Sequence, residues 1–270
     1  MSIHATAIVE DGARLGAGVE VGPFCIVGRN TMLAEGVRLH SHVVIAGHAE
    51  IGARCELFPN VVLGTEAQIR GGNAPDARLI IGADCVLREN VTMSCGSARG
   101  GRLTSIGERG YFMAGSHVGH DCHLGNDVTL VNGALFAGHV EVGDNVLIGG
   151  GAAIQQFTRI GSGAFLSGLS GCALDIIPYG EAIGSPHARL GGLNLIGLKR
   201  RGVPRPRIHA LRAAFHMIFV ENTDAIADGA CRAKEKWPDM EEVQEVCAFI
   251  LAPAKKAIMP YRRRGRSDEA

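Results

Sequence analysis

Aliphatic side chains recur at every sixth position at the start of this chain: Ile3, Val9, Leu15, Val21, Val27, Leu33, Leu39, Ile45, Ile51, Leu57, Leu63 and Ile69. A second unbroken apolar series runs Ile106, Phe112, Val118, Leu124, Leu130, Phe136, Val142, Ile148, Ile154, Ile160 and Leu166. An α-helix repeats every 3.6 residues and a strand every 2, so neither alone gives a strict period of six. A chain that turns a corner every six residues does, and three such sides close one triangular coil of a parallel β-helix. Two positions before the aliphatic residue the side chain is small, as at Ala13, Cys25, Thr31, Ala49, Cys55, Cys122, Ala134, Ala152 and Ala164. Each short strand therefore presents one large and one small residue inward, with polar residues outward. The residue after the aliphatic one is often glycine (Gly16, Gly22, Gly28, Gly52, Gly107, Gly119, Gly125, Gly143 among them), which predicts corners with positive φ.

The pattern breaks twice. The phase survives at Ile81, Leu87 and Met93, but Gly71-Gly72-Asn73-Ala74-Pro75 interrupts it, and Cys95–Leu103 shifts it by one residue before Ile106. Both stretches predict loops ejected from the coils, at about 70–78 and 95–104, and such loops are where binding surfaces form. After Pro204 and Pro206 the period becomes helical, with Ile208, Leu211, Phe215 and Ile218 on one face and Val243, Val246, Cys247 and Ile250 on another. Thr223 is a candidate helix N-cap and Trp237-Pro238-Asp239 a turn. The predicted organisation is an all-β solenoid with an α-helical C-terminal part: β-helix over 1–190, helices over 191–263 that could cap the open solenoid end, and a disordered polar end from Tyr261, above all 264–270.

Composition refines this picture. Gly is abundant, at 38 of 270 residues, but periodic, so it marks corners and not disorder. The eight cysteines include no C-x-x-C pair, and Cys25, Cys55, Cys85 and Cys122 share the small inward phase. Packing explains these four better than metal or disulfide chemistry. The start of the chain carries no basic region followed by an apolar stretch, and no apolar run approaches a membrane span, so the expected location is the cytoplasm, with no stable membrane insertion. Net charge is zero yet uneven: there is no lysine before Lys199, and no acidic residue from Ala182 to Val220, where Lys199, Arg200, Arg201, Arg205, Arg207 and Arg212 cluster. That cluster reads either as a solvated helix face or as a dock for an acidic partner. Nucleic acid is disfavoured, because aromatic interleaving is absent.

The densest chemistry lies at Gly115-Ser116-His117-Val118-Gly119-His120-Asp121-Cys122-His123. His139 follows Asp121 by one coil, so His120, Asp121 and His139 should meet on one outer edge with Gly138 beside them. Imidazole titrates near neutral pH, which makes His120 a candidate general base; Asp121 could orient it, and a backbone N–H at Gly138 could serve an oxyanion. His117, His120 and His123 do not share one phase, so convergence of these three on a metal ion is disfavoured. Polar paving of an exposed prism face suits His40, His42 and His48 and remains the competing reading for His120.

The runs Val21-Gly22-Pro23-Phe24-Cys25-Ile26-Val27-Gly28, Ser41–Ile45, Gly115–Cys122, Ala137-Gly138-His139-Val140, Gln155-Gln156-Phe157 and Gly197-Leu198-Lys199-Arg200-Arg201-Gly202 resemble the UDP-N-acetylglucosamine O-acyltransferases, across nearly the whole chain. The resemblance implies a left-handed β-helix, a homotrimer with active sites between subunits, no metal and no cofactor beyond an acyl carrier protein thioester as co-substrate. It implies transfer of a (3R)-hydroxyacyl chain to the 3-position of UDP-N-acetylglucosamine, the first step of lipid A synthesis. His120 then matches the general base, Asp121 its orienting residue and Gly138 the oxyanion donor. His117, His139, Gln156, His187, Asn194 and Arg200 match substrate-binding positions, and Gly168 matches the position that limits acyl length. Lys199, Arg201, Arg205, Arg207 and Arg212 match a surface that meets the acidic carrier protein. Ser94-Cys95, Ala67–Gly72, Gln155 and Ile196 depart from the common pattern. They raise the alternative of a 3-amino acceptor, acylated to an amide. A coenzyme A-dependent acetyltransferase, a related N-acyltransferase and a non-enzymatic scaffold are the other classes that a hexapeptide solenoid allows.

Overall fold

The computed structural model describes residues 1–221 and 225–262. Its solenoid is a left-handed parallel β-helix whose three faces, among the described residues, are sheets of 11, 9 and 8 strands, parallel throughout except for the final strand and most of them two residues long. The first face starts with Ser2–Ile3, the second with Ile8–Val9 and the third with Arg14–Leu15. Ser2 pairs with Glu20 and Ile3 with Val21, so a regular coil advances by three hexads. Glu56 pairs with Val86 and Val86 with Tyr111, which locates an insertion in each of two coils.

The hexad aliphatics form the core. Leu33, Leu39, Ile45, Ile51, Leu57 and Leu63 are almost fully buried, and Cys25, Cys55, Cys85 and Cys122 fill the small inward slots beside such residues. Burial of each large side chain contributes about 1.5–3 kcal/mol, and a prism stacks them in continuous columns. The glycines after the aliphatic residues do not take positive φ, with Gly64 the exception. They are glycines because successive coils touch there: a Cβ on Gly22 would lie 2.3 Å from the His40 carbonyl oxygen, and one on Gly52 would lie 2.4 Å from Gly82 C. The left-handed corner residue comes two positions later and is often not glycine, as at Arg54 (φ 57°), Asp121 (φ 57°), His139 (φ 61°) and Phe157 (φ 66°).

The first loop leaves the coil earlier than the periodicity suggests. The strand Val62–Thr65 ends the regular path and the next strand is Arg78–Ile81, so Ile69, although in phase, belongs to the loop. The second loop joins Thr92–Ser94 to Leu103–Ile106. Both emerge at the edge between the second and third faces and bind each other, with Ala98 N–H donating to Gly72 O and Arg102 to Asp76.

The last strand, Arg189–Leu193, runs antiparallel to Gly180–Ile183. Among the described residues four helices follow: α1 (Leu195–Arg200), α2 (Arg205–Phe219), α3 (Ile226–Lys236) and α4 (Glu241–Leu251). Ile208, Leu211, Phe215 and Ile218 of α2 and Val243, Val246 and Cys247 of α4 are buried, as their spacing predicts. Thr223 and residues 264–270 lie outside the described residues. Tyr261 is not part of a loose tail: it bridges to Leu190, packs edge-on against Phe215, and ends a segment whose Ile258 bridges to Asp175. Residues 252–262 thus return to the solenoid as extended chain. Buried Asp175 accepts from Arg159 at 2.7 Å, and the Arg159 guanidinium lies 4.4 Å from the Phe249 ring, which fastens α4 to the third face.

Candidate active site

The strand His117–Val118 on the second face and His123–Leu124 on the third are joined by the corner Gly119–Cys122. Asp121 occupies the left-handed position of that corner, and His139 and Phe157 occupy the same position on the next two coils. The stack follows from the coil length, which places residues 18 apart above one another. His120 donates Nδ1–H to Asp121 Oδ2 at 2.8 Å, leaving the Nε2 lone pair free to take a proton. His139 Nε2 lies 3.8 Å from the same oxygen, and the two imidazoles meet edge to face with centroids 5.1 Å apart. Phe157 stacks on His139 at 4.5 Å, and Lys255 Nζ sits 4.0 Å from the Phe157 ring.

Burial pushes the Asp121 carboxyl up, but the Ser97 hydroxyl and amide, with His120 and His139, hold it below its ordinary value. Burial lowers His117 and His139 below the usual imidazole range. His117 Nδ1 is 2.7 Å from Thr92 Oγ1 and His123 Nδ1 is 2.8 Å from Ser105 Oγ, so each of the three neighbouring histidines has its own partner. The histidines do not converge; the triple that does is His120, Asp121 and His139, whose donor atoms lie within 4.8 Å of one another. Such a cluster is also compatible with a cation, although Asp121 Oδ2 is already shared by His120 and Ser97.

Gly138 adjoins this dyad. A Cβ there would lie 2.3 Å from His120 Cε1, so the absent side chain is what admits the imidazole. Ala137 and His139 donate their N–H groups to Ile154 and His120 carbonyls, whereas the Gly138 N–H donates to no group among the described residues. A cleft of about 690 Å³ opens here between the corner stack and the Ala252–Lys255 segment.

The other predicted residues lie elsewhere on the chain. Asn194 and Arg200 line a separate groove of about 360 Å³ against Thr129, Leu147 and Phe165 of the first face. Asn194 also caps α1, accepting from Gly197 N–H at 2.9 Å and donating to Gly163 O at 3.0 Å. Gln156 and His187 are exposed, and Gly168 sits at the corner after the first-face strand Phe165–Leu166. The basic cluster divides. Lys199, Arg200, Arg205 and Arg212 are exposed and form no ion pair among the described residues. Arg207 instead pairs with Glu241 and Glu242 of α4, and Arg201 lies over Tyr179 against Gly163, so both serve internal packing. Of the departing positions, Ser94 and Cys95 are buried, Gln155 accepts from Lys256 at 3.1 Å, and Ile196 is exposed.

Sequence reasoning missed Ser97, Thr104, Phe157 and Lys255. Phe157 was within reach, since it continues the 18-residue step from Asp121 through His139. Ser97 lies in a loop and Lys255 follows a helix, so no periodicity points to either.

Along nearly its whole length the chain is similar to proteins of one family. The family model described as UDP N-acetylglucosamine O-acyltransferase, domain 2, matches residues 175–259. The chain is 43% identical over 264 residues to the acyl-[acyl-carrier-protein]–UDP-N-acetylglucosamine O-acyltransferase of Sinorhizobium fredii, covering 98% of this chain and 97% of the relative. It is 42% identical over 256 residues to the Rhizobium johnstonii protein of the same name, covering 95% and 93%. The structure of UDP-N-acetylglucosamine acyltransferase from Campylobacter jejuni superposes with a TM-score of 0.91 at 32% identity, covering 96% of this chain and all of that one. The hexad solenoid, the His120–Asp121 corner and the full-length similarity together place this chain in the acyl-[acyl-carrier-protein]–UDP-N-acetylglucosamine O-acyltransferase family.

Proposed function

We propose that this protein transfers a (3R)-hydroxyacyl chain from acyl carrier protein to the 3-position of UDP-N-acetylglucosamine, as the first step of lipid A synthesis. The observation that carries the mechanism is the 2.8 Å His120–Asp121 pair with Gly138 beside it, next to a cleft that Asp121 and His139 line. His120 Nε2 removes the proton of the 3-hydroxyl as its oxygen attacks the thioester carbonyl. The Gly138 N–H supports the oxyanion of the tetrahedral intermediate, and Asp121 stabilises the imidazolium. Collapse breaks the carbon–sulfur bond, and His120 returns the proton to the leaving thiolate. No step calls for a metal, and activity should survive a chelator.

The division of the site residues between two faces supports a trimer. Outward positions along the second face carry no charge: Ile8, Ile26, Val44, Val62, Thr92, His117, Leu135, Ala153 and Gly171. An uncharged strip of this length on a solenoid favours burial against another copy. In this reading the second face of one copy meets the first face of the next, bringing Asn194 and Arg200 toward His120. Leu135, 46% exposed in the single chain, is the residue to test: Leu135→Asp should yield monomers in sedimentation. The exposed Lys199, Arg205 and Arg212 are the carrier-protein dock, and their reversal to glutamate should raise KM for the acyl carrier protein at unchanged kcat.

The deciding experiment incubates the protein with several (3R)-hydroxyacyl carrier proteins and a mixture of UDP-N-acetylglucosamine and its 3-amino analogue, read by mass. An O-acyl product supports the proposal, and an N-acyl product reassigns the acceptor. No acyl product from any donor would point to coenzyme A-dependent or scaffold roles.

A further inference from the structure

The hexad pattern cannot produce the Cys95–Arg102 loop, yet that loop makes the shortest hydrogen bond to the Asp121 carboxylate. Ser97 N–H donates to Oδ1 at 3.0 Å and Ser97 Oγ–H to Oδ2 at 2.6 Å. Gly100 lies against the same group, since a Cβ there would come within 2.2–2.4 Å of its atoms. The loop is itself fixed, by Cys95 N–H to Thr65 O, Gly96 N–H to Arg78 O and Ala98 N–H to Gly72 O.

Two imidazoles compete for Asp121 Oδ2: His120 at 2.8 Å and His139 at 3.8 Å. Rotation of the carboxylate about its own axis would trade one for the other. The paired Ser97 donors fix the carboxylate plane, so that Oδ2 faces His120. The Asp121 N–H, held by Thr104 Oγ1 at 2.9 Å, fixes the backbone beneath it. Ser97 has no exposed surface, so its hydroxyl reaches the reaction only through Asp121.

We propose that Ser97 is a positioning residue for acyl transfer, holding the Asp121 carboxylate in the one orientation that aligns His120. This rests on the reading of His120 and Asp121 as the catalytic pair. Charge-assisted hydrogen bonds of this kind carry enough energy for a loss of roughly 10- to 100-fold in rate when one is removed. Ser97→Ala deletes the hydroxyl donor, keeps the amide donor and adds no bulk. Ser97→Thr keeps both donors.

The test measures kcat, KM for each substrate and melting temperature in the full-length protein, using (3R)-hydroxyacyl carrier protein and UDP-N-acetylglucosamine. The variants are Ser97→Ala, Ser97→Thr, Asp121→Ala, Ser97→Ala/Asp121→Ala and His120→Ala. Ser97→Ala should lower kcat by about 10-fold or more with both KM values nearly constant, and Ser97→Thr should restore most of it. In the Asp121→Ala background the serine change should cost nothing further, because its only target is gone. An unchanged kcat in Ser97→Ala, or an equal further loss without Asp121, would overturn the proposal. So would a loss that threonine does not restore and that follows the melting temperature. Near wild-type activity in His120→Ala would instead overturn the catalytic pair itself, and the two failures are told apart by that variant alone.

Discussion

Replacing Gly138 with alanine separates the shape of the active site from its hydrogen-bond donors. Alanine keeps the backbone N–H, and Gly138 does not adopt positive φ, so the backbone tolerates the change. The new methyl would lie 2.3 Å from His120 Cε1, 2.5 Å from Nε2 and 2.8 Å from Nδ1. Carbon atoms pack at about 3.5–4.0 Å, so the ring must retreat by about 1 Å. That retreat draws Nε2 away from the attacking hydroxyl or lengthens the 2.8 Å bond to Asp121. A 1 Å misplacement of a catalytic group costs on the order of 100-fold, or about 2.7 kcal/mol of barrier. Steady-state kinetics with a (3R)-hydroxyacyl carrier protein, read as acylated UDP-sugar by mass, should show this loss in kcat, with a melting temperature near wild type. In a His120→Ala background the same methyl should cost little, because there is no ring left to displace. A Gly138→Ala enzyme with kcat within a few-fold of wild type would refute the steric argument. An equal loss in both backgrounds would mean that the methyl acts on something other than the His120 ring.

Three further outcomes follow from the same geometry. Arg159→Met leaves the fully buried Asp175 carboxylate unpaired and loosens α4 from the third face; denaturant unfolding should show a loss of about 3–5 kcal/mol. Gly52→Ala inserts a methyl 2.4 Å from the Gly82 backbone and should cost about 1–3 kcal/mol, whereas a corner with freedom to adjust would show almost none. Burial lowers His117 and His139 from the ordinary value of 6.5, so the unfolded chain binds more protons than the folded one just below that pH. Stability should therefore fall as pH drops below about 6.5, and His117→Gln/His139→Gln should flatten the melting-temperature profile in that range. The depressed Asp121 carboxyl adds a separate loss below the ordinary carboxylate value of 3.8.

The coil path was legible residue by residue because a β-helix is local in register. Each strand pairs with the one a coil away, so a six-residue period in sequence becomes a column in space, and the buried cysteines and the meeting of His120, Asp121 and His139 follow from counting alone. The helical faces of α2 and α4 were legible for the same reason, from a period written in the sequence. What counting could not supply is contact between segments that share no period. The glycines after the aliphatic residues invite a conformational explanation, but only the stacked coils reveal that they make room for neighbouring backbone. Arg207 belongs to a basic stretch in sequence, yet α4 neutralises it with Glu241 and Glu242. Ser97 reaches Asp121 from a loop, and Lys255 reaches Phe157 from the far end of the chain. Repeating inward burial fixed the scaffold from the sequence alone. The site depended on loops and a C-terminal segment whose positions are set by tertiary hydrogen bonds and charge pairing, and no linear pattern encodes those.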